Sequence, residues 1–196
     1  MLGGMPKDAD RRGVWGSLLI IAGIMLLTAV IELAMGRLLI SKSGHVRLWA
    51  ATNTSELSQQ IADAYSFSHL IHGFLFYAVL WMIFRRRLPW INRLILAVIV
   101  EAAWEVIENS PFLINRYRTA TISLDYYGDS ILNSMFDILF AILGFVLAAR
   151  LPVWVTIATT IAIEVTLALT IRDNLALNII MLLHPFPAIK HWQTSA

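Results

Sequence analysis

The chain has 196 residues, of which 58% are hydrophobic and only 14% charged, and its mean hydropathy is +0.70; soluble domains carry about a quarter charged residues. This composition excludes an ordinary soluble enzyme and specifies an all-α membrane protein. A net charge of +2 with the basic residues at segment ends argues against nucleic acid as a partner, and the absence of cysteine excludes disulfides, thiolate nucleophiles and Cys-ligated metals.

In chain order, residues 15–35 form the first apolar window, whose one formal charge is Glu32. Its length exceeds the 7–15 residues of a signal-peptide core, which favours a span over a cleaved leader. The connection 37–63 follows; Asn53 and Glu56 have capping-box spacing, so a helix is expected over 54–63. Residues 64–84 carry no formal charge, and Arg85, Arg86 and Arg87 close that window. Residues 91–108 are apolar apart from Arg93, Glu101, Glu105 and Glu108. A second long connection, 109–130, leads to windows 131–149 and 153–171, which carry Asp137 and Glu164. Each window approaches the ~20 residues that a ~30 Å hydrocarbon core requires. Residues 175–183 are apolar but too short to cross, and read as an interfacial or re-entrant segment. The expected architecture is one polytopic domain over 1–196, with about five transmembrane helices in a single bundle surrounded by membrane lipids.

Basic residues set the orientation. A cytoplasmic N-terminus places Lys7, Arg11, Arg12, Arg85, Arg86, Arg87, Arg93 and Arg150 inside, and the tightest cluster, Arg85 to Arg93, decides the matter. The connections 37–63 and 109–130 are then periplasmic, and the protein is a multi-pass protein of the cell inner membrane.

Between Glu101 and Asp137 the chain has six carboxylates and two arginines. A charge near the bilayer centre costs roughly 2.5–3.5 kcal/mol, so such a cluster is a functional-site hypothesis. Glu101, Glu105 and Glu108 share one helix stripe, as do Asp129, Asn133 and Asp137, while His69 and His72 share a face of the second window. At ~1.5 Å per residue, His72, Glu101 and Asp137 lie ~9–13 Å below the outer boundary, so the groups converge in one outward-facing cavity. Glu32 and Glu164, alone on their windows, are expected to be satisfied packing or end-of-helix groups.

Four chemistries fit these residue types. The polar groups can pair across helices and fix packing, at about 0.6 kcal/mol per contact. His69 and His72, at i, i+3, can share a divalent metal, with Glu105 and Asp137 completing a mixed nitrogen and oxygen shell suited to zinc or manganese. Hydrolysis or transfer on a lipid-linked phosphate would use Glu105, Asp129 and Asp137 as acid/base candidates. The expected substrate-binding residues are His72, Glu108, Arg116, Arg118, Asp125 and Asn133, the arginines acting as cationic clamps. The fourth is a proton or cation relay, which the five windows without an internal repeat make a less natural carrier.

The segments HLIHGFLFY, EAAWEVIENS, NRYRTATISLDYYGDSILNSMFD and LGFVLA, within 69–149, resemble a bacterial family of multi-pass inner-membrane proteins with a domain of unknown function. In layout they are similar, more distantly, to VanZ-like membrane proteins. The matching positions are His72, Glu105 or Glu108, Arg116 or Arg118, Asp129, Asn133 and Gly144; the Glu-Asn-Ser-Pro run stands where VanZ-like chains often have Gln. The resemblance implies an envelope-facing membrane protein that binds or processes a lipid-linked or cell-envelope substrate. A non-enzymatic assembly factor or a small proton or cation transporter is the alternative.

Overall fold

A computed structural model describes residues 11–52 and 54–195. Lys7 and Asn53, used above for orientation and capping, lie outside the described residues. Among those described, all regular structure is helical: α1 (Arg11–Ala34), α2 (Ser66–Phe84), α3 (Trp90–Glu108), α4 (Pro111–Ala120), α5 (Ile131–Arg150), α6 (Val153–Thr170), α7 (Leu175–Leu183) and α8 (Pro187–Thr194). Helices α1, α2, α5 and α6 are long and apolar enough to cross a membrane. Helix α3 matches α2 in length, at 19 residues, and packs against α1, α2 and α5 in the bundle. Its four charged residues keep it from being purely apolar, and three of them make the site. The outward faces of α1 and α6 display Leu19, Leu26, Leu27, Trp154, Ile161 and Leu169, a surface matched to lipid tails.

The closest crossing is between α2 and α5, at Gly73 and Gly144. A Cβ on Gly73 would collide with the Ala141 carbonyl and lie 2.6 Å from the Phe145 amide nitrogen; one on Gly144 would strike the Leu70 carbonyl. Two glycines thus bring backbone against backbone, as small residues do between membrane helices. The His69 face of α2 consequently comes within reach of Asp137 on α5. Beside this polar layer, Leu94, Ala97, Val98, Ile138 and Phe145 pack with Ile21 into the apolar core.

Two connections differ from expectation. Residues 54–63 form successive turns instead of a helix. Ser58 adopts φ 58°, and its amide donates to Asp63 Oδ2 at 2.8 Å; short polar side chains here offer the backbone partners that compete with a helix. The segment is stitched to the start of α5 instead: the Ser130 amide donates to the Ser58 carbonyl at 3.0 Å, and Asn133 Nδ2 to the Gln60 carbonyl at 3.0 Å. The α5 amides of Ile131 and Leu132 donate to the carbonyls of Leu38 and Leu39, satisfying first-turn donors that a helix leaves without partners. The connection 109–130 contains α4, nucleated by Ser110, whose hydroxyl accepts from the Leu113 amide, with Pro111 in the first turn.

Helices α7 and α8 lie at the same end of the bundle as these connections. Glu164 caps α7, its two oxygens accepting from the amides of Leu175 and Ala176 at 3.1 and 3.0 Å, which is the end-of-helix role expected of it. Glu32 departs from that expectation: it is completely buried near the end of α1, and neither carboxylate oxygen accepts a hydrogen bond.

Candidate functional site

Helix spacing assembles the centre of the site. His69 and His72, three residues apart on α2, face Glu101 and Glu105, four apart on α3. Glu101 joins the two imidazoles: His69 Nδ1 lies 2.5 Å from Glu101 Oε1, and His72 Nδ1 lies 3.2 and 3.1 Å from Glu101 Oε1 and Oε2. Each imidazole donates through Nδ1–H, so one carboxylate fixes the orientation of both rings. On its other side His69 Nδ1 is 3.3 Å from Glu105 Oε1, and His69 Nε2 is 3.8 Å from Asp137 Oδ2 on α5.

The carboxylates in this layer outnumber their donors. Glu101 and Glu105 are completely buried, and both Glu105 oxygens and Asp137 Oδ1 lack a hydrogen-bond donor. A buried ionised carboxylate without a partner costs several kcal/mol, so this arrangement requires positive charge as protons or a cation. Among the described residues the one buried arginine, Arg93, sits eight residues before Glu101 on α3, roughly 12 Å along the axis, over the Tyr77 ring. It does not serve the centre.

His69, His72 and Asp137 line a chamber of about 60 Å³ whose other walls include Trp104, Glu108, Tyr117, Tyr126 and Asp129. Leu57, Tyr65, Ser123 and Tyr126 line both this chamber and an open vestibule of about 620 Å³ between the connections 52–65 and 122–128. The chamber therefore has its mouth at the end of the bundle where these connections lie. Tyr117 hydroxyl donates to Glu108 Oε1 at 2.7 Å and Tyr126 hydroxyl to Asp129 Oδ1 at 3.0 Å. Burial, then the neighbouring Glu108 and Asp137 carboxylates, pushes the Asp129 carboxyl well above its ordinary range. The Tyr117 and Tyr126 hydroxyls are raised as well, by burial first and by the adjacent carboxylates second, so both remain donors at neutral pH.

The expected site residues divide into three groups. His69, His72, Glu108, Asp129 and Asp137 line the chamber, and Glu105 lies behind His69. Asp125 belongs to the vestibule. Arg116, Arg118 and Asn133 line neither cavity: Arg116 Nε donates to the Leu182 carbonyl at 2.8 Å, Arg118 Nε to the Tyr126 carbonyl, and Asn133 ties α5 to the Gln60 carbonyl. The arginines expected as cationic clamps thus hold backbone segments in place, α7 in one case and the 126 turn in the other. Glu101, absent from the expected catalytic and metal sets, is the hub; its i, i+4 relation to Glu105 and its depth beside His72 were the available signals. Trp104, Tyr65, Tyr117 and Tyr126 left no comparable signal, because tertiary packing alone brings them to the chamber.

A family model described as "Protein of unknown function (DUF2585)" matches residues 32–195. The chain is 51% identical over 175 residues to a UPF0314 protein of Agrobacterium fabrum, covering 89% of this chain and 88% of the relative. It is 52% identical over 182 residues to one of Paracoccus denitrificans, covering 92% of each, and 49% identical over 194 residues to one of Sphingopyxis alaskensis, covering 98% of each. No solved structure matches. With the match spanning all helices from the end of α1 to α8, the chain belongs to the DUF2585 family, alongside the UPF0314 proteins.

Proposed function

We propose that this membrane protein binds the polar part of a lipid-linked, envelope-side substrate in the chamber and vestibule, in the cell inner membrane, with the histidine–carboxylate centre as its acid–base group. The observation that carries this reading is a cavity in two adjoining parts: a vestibule of about 620 Å³ shares Tyr65 and Tyr126 with a chamber of about 60 Å³ lined by His69, His72 and Asp137. Beyond the polar layer stand Ala97, Val98, Ile138 and Phe145, an apolar barrier that favours chemistry from one side over passage of an ion through the bundle.

The lining narrows the substrate class. Glu108, Asp129 and Asp137 face the chamber together with aromatic rings and hydroxyls, and among the described residues its lining includes no Lys or Arg. Such walls accept hydrogen bonds from hydroxyl or amino groups and repel a bare phosphate. The group that enters is a sugar hydroxyl or an amine, while the remainder of the headgroup occupies the vestibule. His72 and Glu108 contact it; His69, held by Glu101 and Glu105, transfers the proton.

The test is complementation. Cells lacking the gene are compared for sensitivity to detergent and to cell-wall antibiotics, then supplied with wild-type, Glu108→Gln, Asp129→Asn or Gly23→Ala protein. Glu108→Gln and Asp129→Asn proteins are expected to accumulate normally in the membrane and fail to restore resistance, whereas Gly23→Ala, on α1 away from both cavities, restores it. Full restoration by both chamber variants, or no change in envelope sensitivity on deletion, overturns the reading.

A further inference from the structure

The geometry points to a divalent transition-metal site held by His69, His72 and Glu101, with zinc or manganese as its ion and Glu105 as a neighbouring carboxylate outside the ligand set. It deepens the reading of the same site, with a water polarised by the ion in place of the free imidazoles as the proton-transfer group, yet metal content is measured without any substrate, so the two can fail separately.

Three features carry it. The first is the donor set: His69, His72 and Glu101 each offer a ligand atom within 4.8 Å of the others. Glu105 Oε1 stands 3.3 Å from His69 Nδ1, and His72 Nδ1 stands 3.1 Å from Glu101 Oε2. Tetrahedral bonds of about 2.0–2.2 Å separate neighbouring ligand atoms by roughly 3.4 Å. The His72 to Glu101 spacing fits, and the His69 to Glu101 hydrogen bond of 2.5 Å opens by about 1 Å to admit the ion. Two imidazoles with one carboxylate, leaving a fourth position for water, form the mixed shell that suits zinc or manganese, where calcium and magnesium take all-oxygen shells.

The second is Glu105. It is completely buried and both of its oxygens lack a donor, although they lie beside a histidine that already donates to Glu101. A divalent cation held by His69, His72 and Glu101 brings positive charge beside Glu105 that its missing donors do not supply, and balances the charges of the two glutamates.

The third lies on the far side of His69. When Nδ1 holds a metal, the proton resides on Nε2, and that nitrogen faces Asp137 Oδ2 at 3.8 Å. A carboxylate behind the ligating imidazole is the usual outer partner of a metal-bound histidine, orienting the ring and raising its basicity. Asp137 is therefore a positioning residue here rather than a ligand. Since His69 and His72 line the chamber, the ion would face the same space as the substrate group and could polarise it or a water.

The experiment uses full-length protein in detergent, loaded separately with Zn²⁺, Mn²⁺ or Co²⁺, desalted, and analysed by elemental mass spectrometry. Wild type is expected to retain about one ion per chain. His72→Ala and Glu101→Gln lose it, Asp137→Asn binds about tenfold more weakly, and Asp125→Asn is unaffected. Bound Co²⁺ should show visible d–d absorption that His72→Ala abolishes. Because Glu101→Gln disturbs a buried group, the melting temperature of wild type with and without added Zn²⁺ is measured too, and rises only when the site exists. Wild type that retains none of the three ions and melts identically with Zn²⁺ and with chelator overturns the proposal, as does retention that survives His72→Ala.

Discussion

Asn109 and Asp129 exchange two hydrogen bonds: Asn109 Nδ2 donates to Asp129 Oδ2 at 2.9 Å, and the Asp129 amide donates to Asn109 Oδ1 at 2.7 Å. Asn109 ends α3 and Asp129 precedes α5, so the pair joins the helix that carries the glutamates to the helix that carries Asp137. Asn109 Nδ2 also reaches the Glu105 carbonyl at 3.1 Å and Ser134 Oγ at 3.3 Å, and its side chain is completely buried.

Removing that amide leaves several buried polar groups without partners, each at roughly 1–3 kcal/mol. Asn109→Ala is therefore expected to destabilise the protein by about 2 kcal/mol or more and to lower its melting temperature in detergent. An unchanged melting temperature would show that the clamp is replaced by other contacts.

The α2–α5 crossing makes a sharper prediction, because backbone cannot move aside as a flexible side chain can. Gly144→Ala places a methyl group against the Leu70 carbonyl, and overpacking of this kind costs about 1–3 kcal/mol, often more where backbone is struck. Gly23→Ala on α1 meets nothing within 4 Å and should leave stability unchanged or slightly higher. Equal melting temperatures for the two variants would contradict the close crossing.

The sequence made some of this architecture legible and hid the rest for identifiable reasons. The charge-free run of α2 and the lone Asp137 in α5 announce apolar helices by length alone, and the i, i+4 stripe of Glu101 and Glu105 announces a polar face. Residues 54–63 misled because cap spacing is a local signal, while the contacts of Ser58, Gln59 and Gln60 are with α5, some seventy residues on. Ser110 and Pro111, by contrast, carry a helix-start signal that a loop reading of 109–130 passed over. Arg116 and Arg118 looked like ligand clamps because their charge is visible in sequence and their carbonyl partners are not.

Asp173 gives a pH signature away from the membrane-spanning segments. Burial raises its carboxyl from the ordinary 3.8 to about 6, against the lowering influence of its donors Tyr65, Asn174, Asn178 and Gln193. Between those values the folded chain holds a proton that the unfolded chain has released. This contribution to stability is complete at low pH and disappears as pH rises through about 6. Thermal unfolding measured from pH 4 to 7 should accordingly show a downward trend with rising pH that Asp173→Asn flattens. A variant with the wild-type slope would remove Asp173 as its source.

Orientation is the remaining prediction, and it decides which compartment the chamber serves. Helix α2 runs from the mouth at Ser66 to the Arg85, Arg86 and Arg87 cluster, and α3 returns from Trp90 to Glu108 beside the chamber. The arginine cluster and the chamber mouth thus lie at opposite ends of the same two helices. Positive residues stay cytoplasmic, so a reporter fused after Arg87 should read as cytoplasmic and one inserted between Asn115 and Gly128 as periplasmic. Helix α1 enters the mouth-side connection at its Ala34 end, so the same reporter pattern predicts a cytoplasmic Arg11 end. The opposite reporter pattern would turn the vestibule toward the cytoplasm and defeat the envelope-side substrate, while the metal centre between His69, His72 and Glu101 would stand, since its geometry is indifferent to which compartment it opens on.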